Sequence, residues 1–444
     1  MTTNVLNPGD SRTGFLVDGD ASTELISVTL RNDVGRIQLQ LAWSGDERTA
    51  PYARWFTDAH GIPGAGTRPL PGQLQFYDVH GPVLLRGCRL GPSRSQIAGS
   101  GLGTGTVLVA EAVLGAGLLD YDRLHGMRSE LVGLGAWVDR AAIARKREVV
   151  TDPDGRMRLN ADVEVRSPDP ARGARHLNMQ FRPDYTISQS DADPDVTEVR
   201  QRMFIETDVK RARDWSEHLS LHYAIRDLLS VSHWRRGEFT HRSVMCRADV
   251  GHVGGSRVLP QWRTVVESAA PSELPPRQMR RSDYLFTYDD VGPTGVTRWI
   301  RLREDFARAI DPTISSIYRH ETAVLTGVAE VGIGQEALGY LLARESGMSQ
   351  DDAGRQSHRT RLDVIASSLT ADLGFDLEAW ADTATAVYNA VKHANRPAPD
   401  PLRSLNSWRK SVLVFRAWVG LRIGVPAKTI ETRIRADRLY GDRT

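Results

Sequence analysis

The sequence predicts an α+β chain: a β-rich N-terminal region carrying one long helix, followed by an all-helical region. Three observations carry that expectation. Between Glu24 and Asp208, short runs of apolar and polar residues alternate, which is the two-residue period of half-buried strands. After Gly292-Pro293-Thr294 the apolar spacing changes to three- and four-residue steps, the helical period. The charge balance changes too. Residues 295–391 hold nine Arg/Lys and fourteen Asp/Glu, whereas residues 392–444 hold twelve and four. The expected division therefore falls between residues 1–293 and residues 294–444.

Taken in order, Phe15-Leu16-Val17 reads as a short first strand, and residues 25–30 and 36–41 as two more around an Asn32-Asp33 turn. Residues 73–77 and 82–85 flank His80-Gly81 as a hairpin. Asp152-Pro153-Asp154-Gly155 turns the chain between 148–150 and 157–159. Further strands are expected at 104–113, 159–165, 176–183, 199–206, 239–250, 258–268 and 284–288. The Pro- and Gly-rich stretch Thr49 to Leu70 and the stretch Ser167 to Arg175 read as loops, and Pro271 to Pro276 as a connector. Helical spacing predicts one helix over Arg211–Trp234, then helices over 295–310, 312–345, 356–373, 376–395, 401–423 and 426–440. The second of these six is expected to break near Gly332 or Gly334.

The 444 residues suffice for two or three domains with a sizeable core, and an apolar fraction of 40% with 25% charged residues is that of a globular protein. Two cysteines, Cys88 and Cys246, do not make a disulfide framework. Met1-Thr2-Thr3-Asn4 lacks the basic and apolar regions of a signal peptide. The most apolar run, Val412 to Val425, is broken by Arg416 and Arg422. These features predict a cytoplasmic protein with no membrane span.

Several motifs fail on spacing. The acidic loop Asp191 to Asp195 has Val196 where a calcium loop needs glycine and Arg202 where it needs the closing glutamate. The glycines of Gly99 to Gly105 fit neither a dinucleotide fingerprint nor a phosphate loop, and read as a flexible loop ahead of a strand. His218 and His222 have the four-residue spacing of metal ligands but no third ligand nearby, so packing is the expected role.

The stretch from Val387 to Pro397 is the most informative. In the helix that begins near Asp376, Leu377, Trp380, Ala384, Val387 and Val391 share one face. Asp382, Thr385, Asn389 and His393 recur at the same steps on the opposite face. Histidine titrates near neutral pH and can take or give a proton. Lys392 and Arg396 stand beside it, and His393 opens the basic tail, as a polyanion-binding surface requires. The spacing alone also fits an exposed helix end with ordinary polar residues.

This stretch resembles the active-site motif of the HEPN superfamily of helical ribonucleases: an arginine, a polar residue, three variable residues and a histidine. Asn389 and His393 match the polar residue and the histidine, while Tyr388 occupies the arginine position. Upstream, the run from Val328 to Tyr340 resembles the early helix of the ApeA-like HEPN branch. The stretches Leu70-Pro71-Gly72-Gln73-Leu74, Val83 to Cys88, Asp120 to Leu124, Trp137, and Trp215 to Ser230 resemble the N-terminal domain of ApeA-type anti-phage proteins.

The resemblance implies a helical HEPN-like bundle in 294–444 and a sensor region in 1–293 that meets a phage-derived trigger. It further implies an endoribonuclease of abortive infection that uses neither metal nor cofactor, with RNA as partner and a composite site in a homodimer. His393 would handle the proton, Asn389 would orient it or hold a phosphate oxygen, and Tyr388, Lys392 and Arg396 would support the substrate. The second expectation, set by Tyr388 in the arginine position, is a catalytically weakened module that binds RNA or mediates dimerisation and regulation.

Overall fold

The computed structural model describes residues 4–17, 25–44, 52–56, 66, 68–95, 102–117, 119–151, 153–166, 168–189, 195–253, 256–268, 279–319 and 323–443. The chain is α+β, with a large antiparallel sheet in its N-terminal half and helices in its C-terminal half. It divides into two compact units. One holds residues 1–129, 208–215 and 241–275, and the other residues 130–207, 216–240 and 276–444. Residues 130–207 and 216–240, assigned to the N-terminal region on sequence grounds, thus fall in the second unit.

The strands of the first unit are β1 (Ser11–Val17), β2 (Ser27–Asn32), β3 (Ile37–Trp43), β4 (Gln73–Asp78), β5 (Gly81–Arg86), β6 (Arg89–Ser95), β7 (Gly103–Val109) and β8 (Glu111–Leu114). Their order is β8-β5-β4-β1-β2-β3-β7-β6, antiparallel throughout. The two-residue period that predicted them sorts their side chains. Ile37, Leu39, Leu41 and Trp43 of β3 are buried, with intermediate or exposed residues between them. Tyr52, Trp55 and Phe56 complete this core, and the Tyr52 hydroxyl donates to the Leu16 carbonyl at 2.9 Å.

Gly103 and Gly105, expected in a flexible loop, belong to β7 instead. A Cβ on Gly105 would stand 2.6 Å from the Phe56 ring, and one on Gly103 would meet the Trp43 ring, so these glycines let aromatic rings lie on the strand. Gly99 to Gly101, the acidic loop 191–194 and the connector 271–276 lie outside the described residues.

The next strands are β9 (Arg123–Leu131), β10 (Ile143–Thr151), β11 (Met157–Val165), β12 (Ala171–Arg172), β13 (Gln180–Gln189), β14 (Thr197–Asp214), β15 (Phe239–Met245), β16 (Val250–Val253), β17 (Ser256–Pro260) and β18 (Arg263–Glu267). The predicted β10–β11 hairpin is present, with Gly155 at φ +80° in its turn. Strands β6 and β9 were not expected, nor was the two-residue β12, which lies inside the stretch Ser167 to Arg175 expected as a loop. β9 is a nine-residue strand in which one pair of adjacent buried residues, Gly126 and Met127, interrupts the alternation.

The helices are α1 (Leu134–Val138), α2 (Trp215–His233), α3 (Tyr288–Asp305), α4 (Ala307–Tyr318), α5 (Val324–Glu345), α6 (Gln350–Arg355), α7 (His358–Ser367), α8 (Leu377–Lys392), α9 (Pro401–Ile423) and α10 (Ala427–Ile434). Several sequence expectations need correction. The helix expected over 295–310 is α3, which starts earlier and ends at Asp305, and the one expected over 426–440 ends at Ile434. Residues 211–214 continue β14 rather than opening α2. Residues 284–288 form no strand. This apolar run is a buried connection whose backbone bonds to α2, with the Leu285 N–H donating to the Ser232 carbonyl at 2.8 Å, and α3 begins at Tyr288. The helix expected over 312–345 is interrupted after Tyr318, not at the glycines. The one expected over 356–373 is represented by α7 alone.

Gly332 and Gly334 do not break α5 because they are contact points. A Cβ on Gly332 would run into the Tyr388 ring, and one on Gly334 into the Thr313 hydroxyl. Losing the side chain lets neighbouring helices approach, which offsets glycine's weak helix propensity of about 1 kcal/mol. Arg416, read as a break in an apolar run, is fully buried in α9. It donates to the Val231 carbonyl at 2.7 Å and the Ser232 carbonyl at 2.6 Å, and pairs with Asp437 at 2.7 Å. These bonds satisfy the carbonyl end of α2. No described helix is long and apolar enough to cross a membrane.

Candidate functional site

Asp376 caps α8, accepting from the Glu378 N–H at 2.9 Å and the Ala379 N–H at 3.3 Å. The predicted apolar stripe faces inward: Trp380, Ala384 and Val387 are buried, and the Trp380 indole donates to Ser411 at 3.1 Å. The helix ends at Lys392, before the expected stop at Pro397. His393 takes extended backbone (φ −118°, ψ 107°) as the residue just past the last turn. Its N–H still donates to the Asn389 carbonyl at 3.0 Å, so His393 is fixed one turn beyond Asn389. The Arg396 N–H in turn donates to the His393 carbonyl at 3.0 Å.

His393 and Arg396 are exposed and Asn389 is half-buried. Among the described residues, none of these three side chains makes a hydrogen bond or an ion pair. Thr385, placed on the same face by spacing, is partly used: its hydroxyl lies 3.3 Å from Nδ1 of His358. Asp382 pairs with Arg359 at 2.6 Å.

The other two candidates are drawn into the structure. Tyr388 is only 4% exposed. Its ring fills the space above Gly332 and packs against His358, with centroids 4.6 Å apart. Lys392 lies 5.3 Å above the same ring and pairs with Glu336 at 3.0 Å. That pairing holds the Lys392 ammonium above its ordinary value. Burial pushes the Tyr388 phenol up, and the Glu336 carboxylate adds to the rise. Burial also pulls the His358 imidazole down to about 4, against the opposing pull of Glu336, while Lys392 and Arg361 add to the drop. His358 Nε2 is buried without a hydrogen-bond partner. His358 and Glu336 therefore complete a cluster around Tyr388 whose members lie far apart in sequence.

The basic tail is also largely paired. Lys410 meets Asp442, Arg416 meets Asp437, Arg422 meets Glu345, Arg433 meets Asp290 and Arg435 meets Asp372. Arg396 and Arg403 are exposed and, among the described residues, form no ion pair.

A family model of the ApeA N-terminal domain 1 matches residues 75–299, half of the chain. The chain belongs to this family. No curated protein and no solved structure matches it. The match ends at Trp299 in α3, so α8 and its Asn389–His393 pair lie beyond the stretch that identifies this ApeA-type chain.

Within that stretch, His218 and His222 are buried structural residues. Thr207 Oγ1 lies 2.7 Å from His218 Nδ1 and 3.4 Å from His222 Nε2. No group of three or more metal-ligating side chains is assembled among the described residues.

Proposed function

We propose that this ApeA-type protein acts in anti-phage defence and that its helical part is a HEPN-like ribonuclease working at the Asn389–His393 surface. The observation that carries the reading is the division of labour at the end of α8. Tyr388 and Lys392 are tied into the fold, while Asn389, His393 and Arg396 are held in place by backbone bonds and their side chains have no partner among the described residues. Family membership supplies the defence setting.

In this reading His393 takes the proton from a ribose 2′-hydroxyl as its oxygen attacks the adjacent phosphorus, and the 5′-oxygen of the next nucleotide leaves with a proton. Asn389 orients the histidine or holds a phosphate oxygen. Arg396 supplies charge to the crowded phosphate. The site is composite, formed by two copies of the helical part in a homodimer, and a phage-derived trigger acts through the N-terminal region.

A second reading is favoured by the cluster just described. Tyr388 stands buried where the motif has arginine, and Lys392 is paired with Glu336, leaving Arg396 beside His393 as a cation with no ion pair among the described residues. The helical part would then bind RNA or hold a dimer together without cutting.

Incubating the full chain with RNA and a chelator separates the two readings. The nuclease reading expects cleavage that persists with chelator and stops when the nucleotide 5′ to the cut carries 2′-deoxyribose. RNA retained intact on the protein would favour the binding module.

A further inference from the structure

A groove of about 1070 Å³ lies within the second unit, between the loop that leads into β13 and the middle of α3. It is independent of the α8 surface. Arg172 and Arg175 stand on the loop side, and Arg298 and Arg301, one turn apart, on the helix side. All four are exposed, and among the described residues none forms an ion pair.

Other arginines of this unit are used in ion pairs. Arg303 pairs with Asp227 at 2.8 Å, Arg182 with Glu206 at 2.8 Å and Arg281 with Asp139 at 2.6 Å. Among the described residues, Glu304 is the single carboxylate on the groove wall. Four guanidiniums facing one carboxylate leave an excess of positive charge concentrated at one opening.

The walls are not only charged. Ile300 presents apolar surface, with the buried Met179 behind the wall, and the Asn178 side chain is exposed with no partner among the described residues. The loop is also held in an uncommon conformation. Leu177 and Asn178 have φ of +50° and +47°, the left-handed region that costs a non-glycine residue about 1–2 kcal/mol. Leu177 is buried, so packing fixes the turn that presents His176 and Asn178 to the groove. Backbone strain of this kind concentrates at ligand-holding sites.

We infer that this groove binds a nucleoside polyphosphate. The phosphates would lie among Arg172, Arg175, Arg298 and Arg301, whose forked donors match phosphate oxygens. The base would lie against Ile300, with Asn178 at its polar edge. The volume, about 1070 Å³, lies at the upper end of that of small-molecule sites.

Calorimetric titration of the full chain with ATP tests the assignment, with inorganic tripolyphosphate and a single-stranded RNA oligonucleotide as parallel titrants. The expected result is one ATP per chain, weaker binding of tripolyphosphate, and displacement of any groove-bound RNA by ATP. Arg298→Gln with Arg301→Gln should weaken ATP binding by about 10- to 100-fold, the usual effect of losing charge-assisted hydrogen bonds. The melting temperature without ATP should not move, because both side chains are exposed and unpaired. Four outcomes would overturn the inference: no ATP binding at millimolar concentration, unchanged affinity in the double variant, tripolyphosphate binding as tightly as ATP, or RNA that ATP cannot displace.

Discussion

The inner and outer sides of the last turn of α8 differ in what their residues are used for. On the inner side Tyr388 fills the space over Gly332, His358 stacks on it, and Lys392 closes the cluster through Glu336. On the outer side Asn389 and His393 are joined by a backbone bond and their side chains bind nothing among the described residues. Two adjacent positions in sequence, 388 and 389, thus separate into a packing residue and an unemployed one. A polar residue whose absence from the fold would cost little is where chemistry can be placed; a buried aromatic is not.

Substitutions at the inner side should break that contrast most severely. Tyr388→Ala should destabilise the protein by about 3 kcal/mol, read by chemical denaturation, since it empties a buried aromatic site. The arginine that the HEPN motif has at this position should also cost stability, because a guanidinium would be buried beside His358 and Lys392. Gly332→Ala comes next, at about 1–3 kcal/mol, because its methyl group would overlap a packed ring rather than a flexible chain end.

Acid should reach the same cluster. The imidazole of His358 has a value near 4 in the folded protein and about 6.5 when unfolded. Its contribution to stability is therefore complete above pH 6.5 and lost as pH falls from there toward 4, because only the unfolded state gains the proton. The loss should approach about 3 kcal/mol at its largest, and His358→Gln should flatten the pH dependence of the melting temperature in that window. Lys392→Ala should matter less, within about 1 kcal/mol, as the pair with Glu336 is partly exposed. Arg396→Gln should leave stability unchanged and lower the salt dependence of RNA binding by about one unit of slope if this arginine meets phosphate. An unchanged slope would place the RNA surface elsewhere.

Much of α8 was legible because its signals are local: the Asp376 cap, the apolar stripe and the polar stripe all lie within one helix. The burial of Tyr388 was not, because the space it fills is made by Gly332 on α5 and the ring beside it belongs to His358 on α7. A one-helix periodicity places a residue next to the stripe and cannot say whether a neighbouring helix makes room for it. The basic tail misled for the same reason. Its net charge is real, but Arg433 finds Asp290 and Arg422 finds Glu345 across long stretches of sequence, leaving few free cations. In the β-rich part, alternation located the hairpins well. It failed at β9, where the alternation is blurred, and at 284–288, where a buried connection has the composition of a strand.

On the proposed reading, activity lies on the outer side of α8 and stability on the inner side. His393→Ala, assayed for RNA cleavage and thermal unfolding on one preparation, tests it most directly. Cleavage should fall by about 100- to 10,000-fold, the usual effect of losing a proton-transfer group. Stability should stay within about 0.5 kcal/mol of wild type, as for an exposed, unpartnered side chain. Cleavage equal to that of the wild type would contradict the account and remove the nuclease assignment from this site.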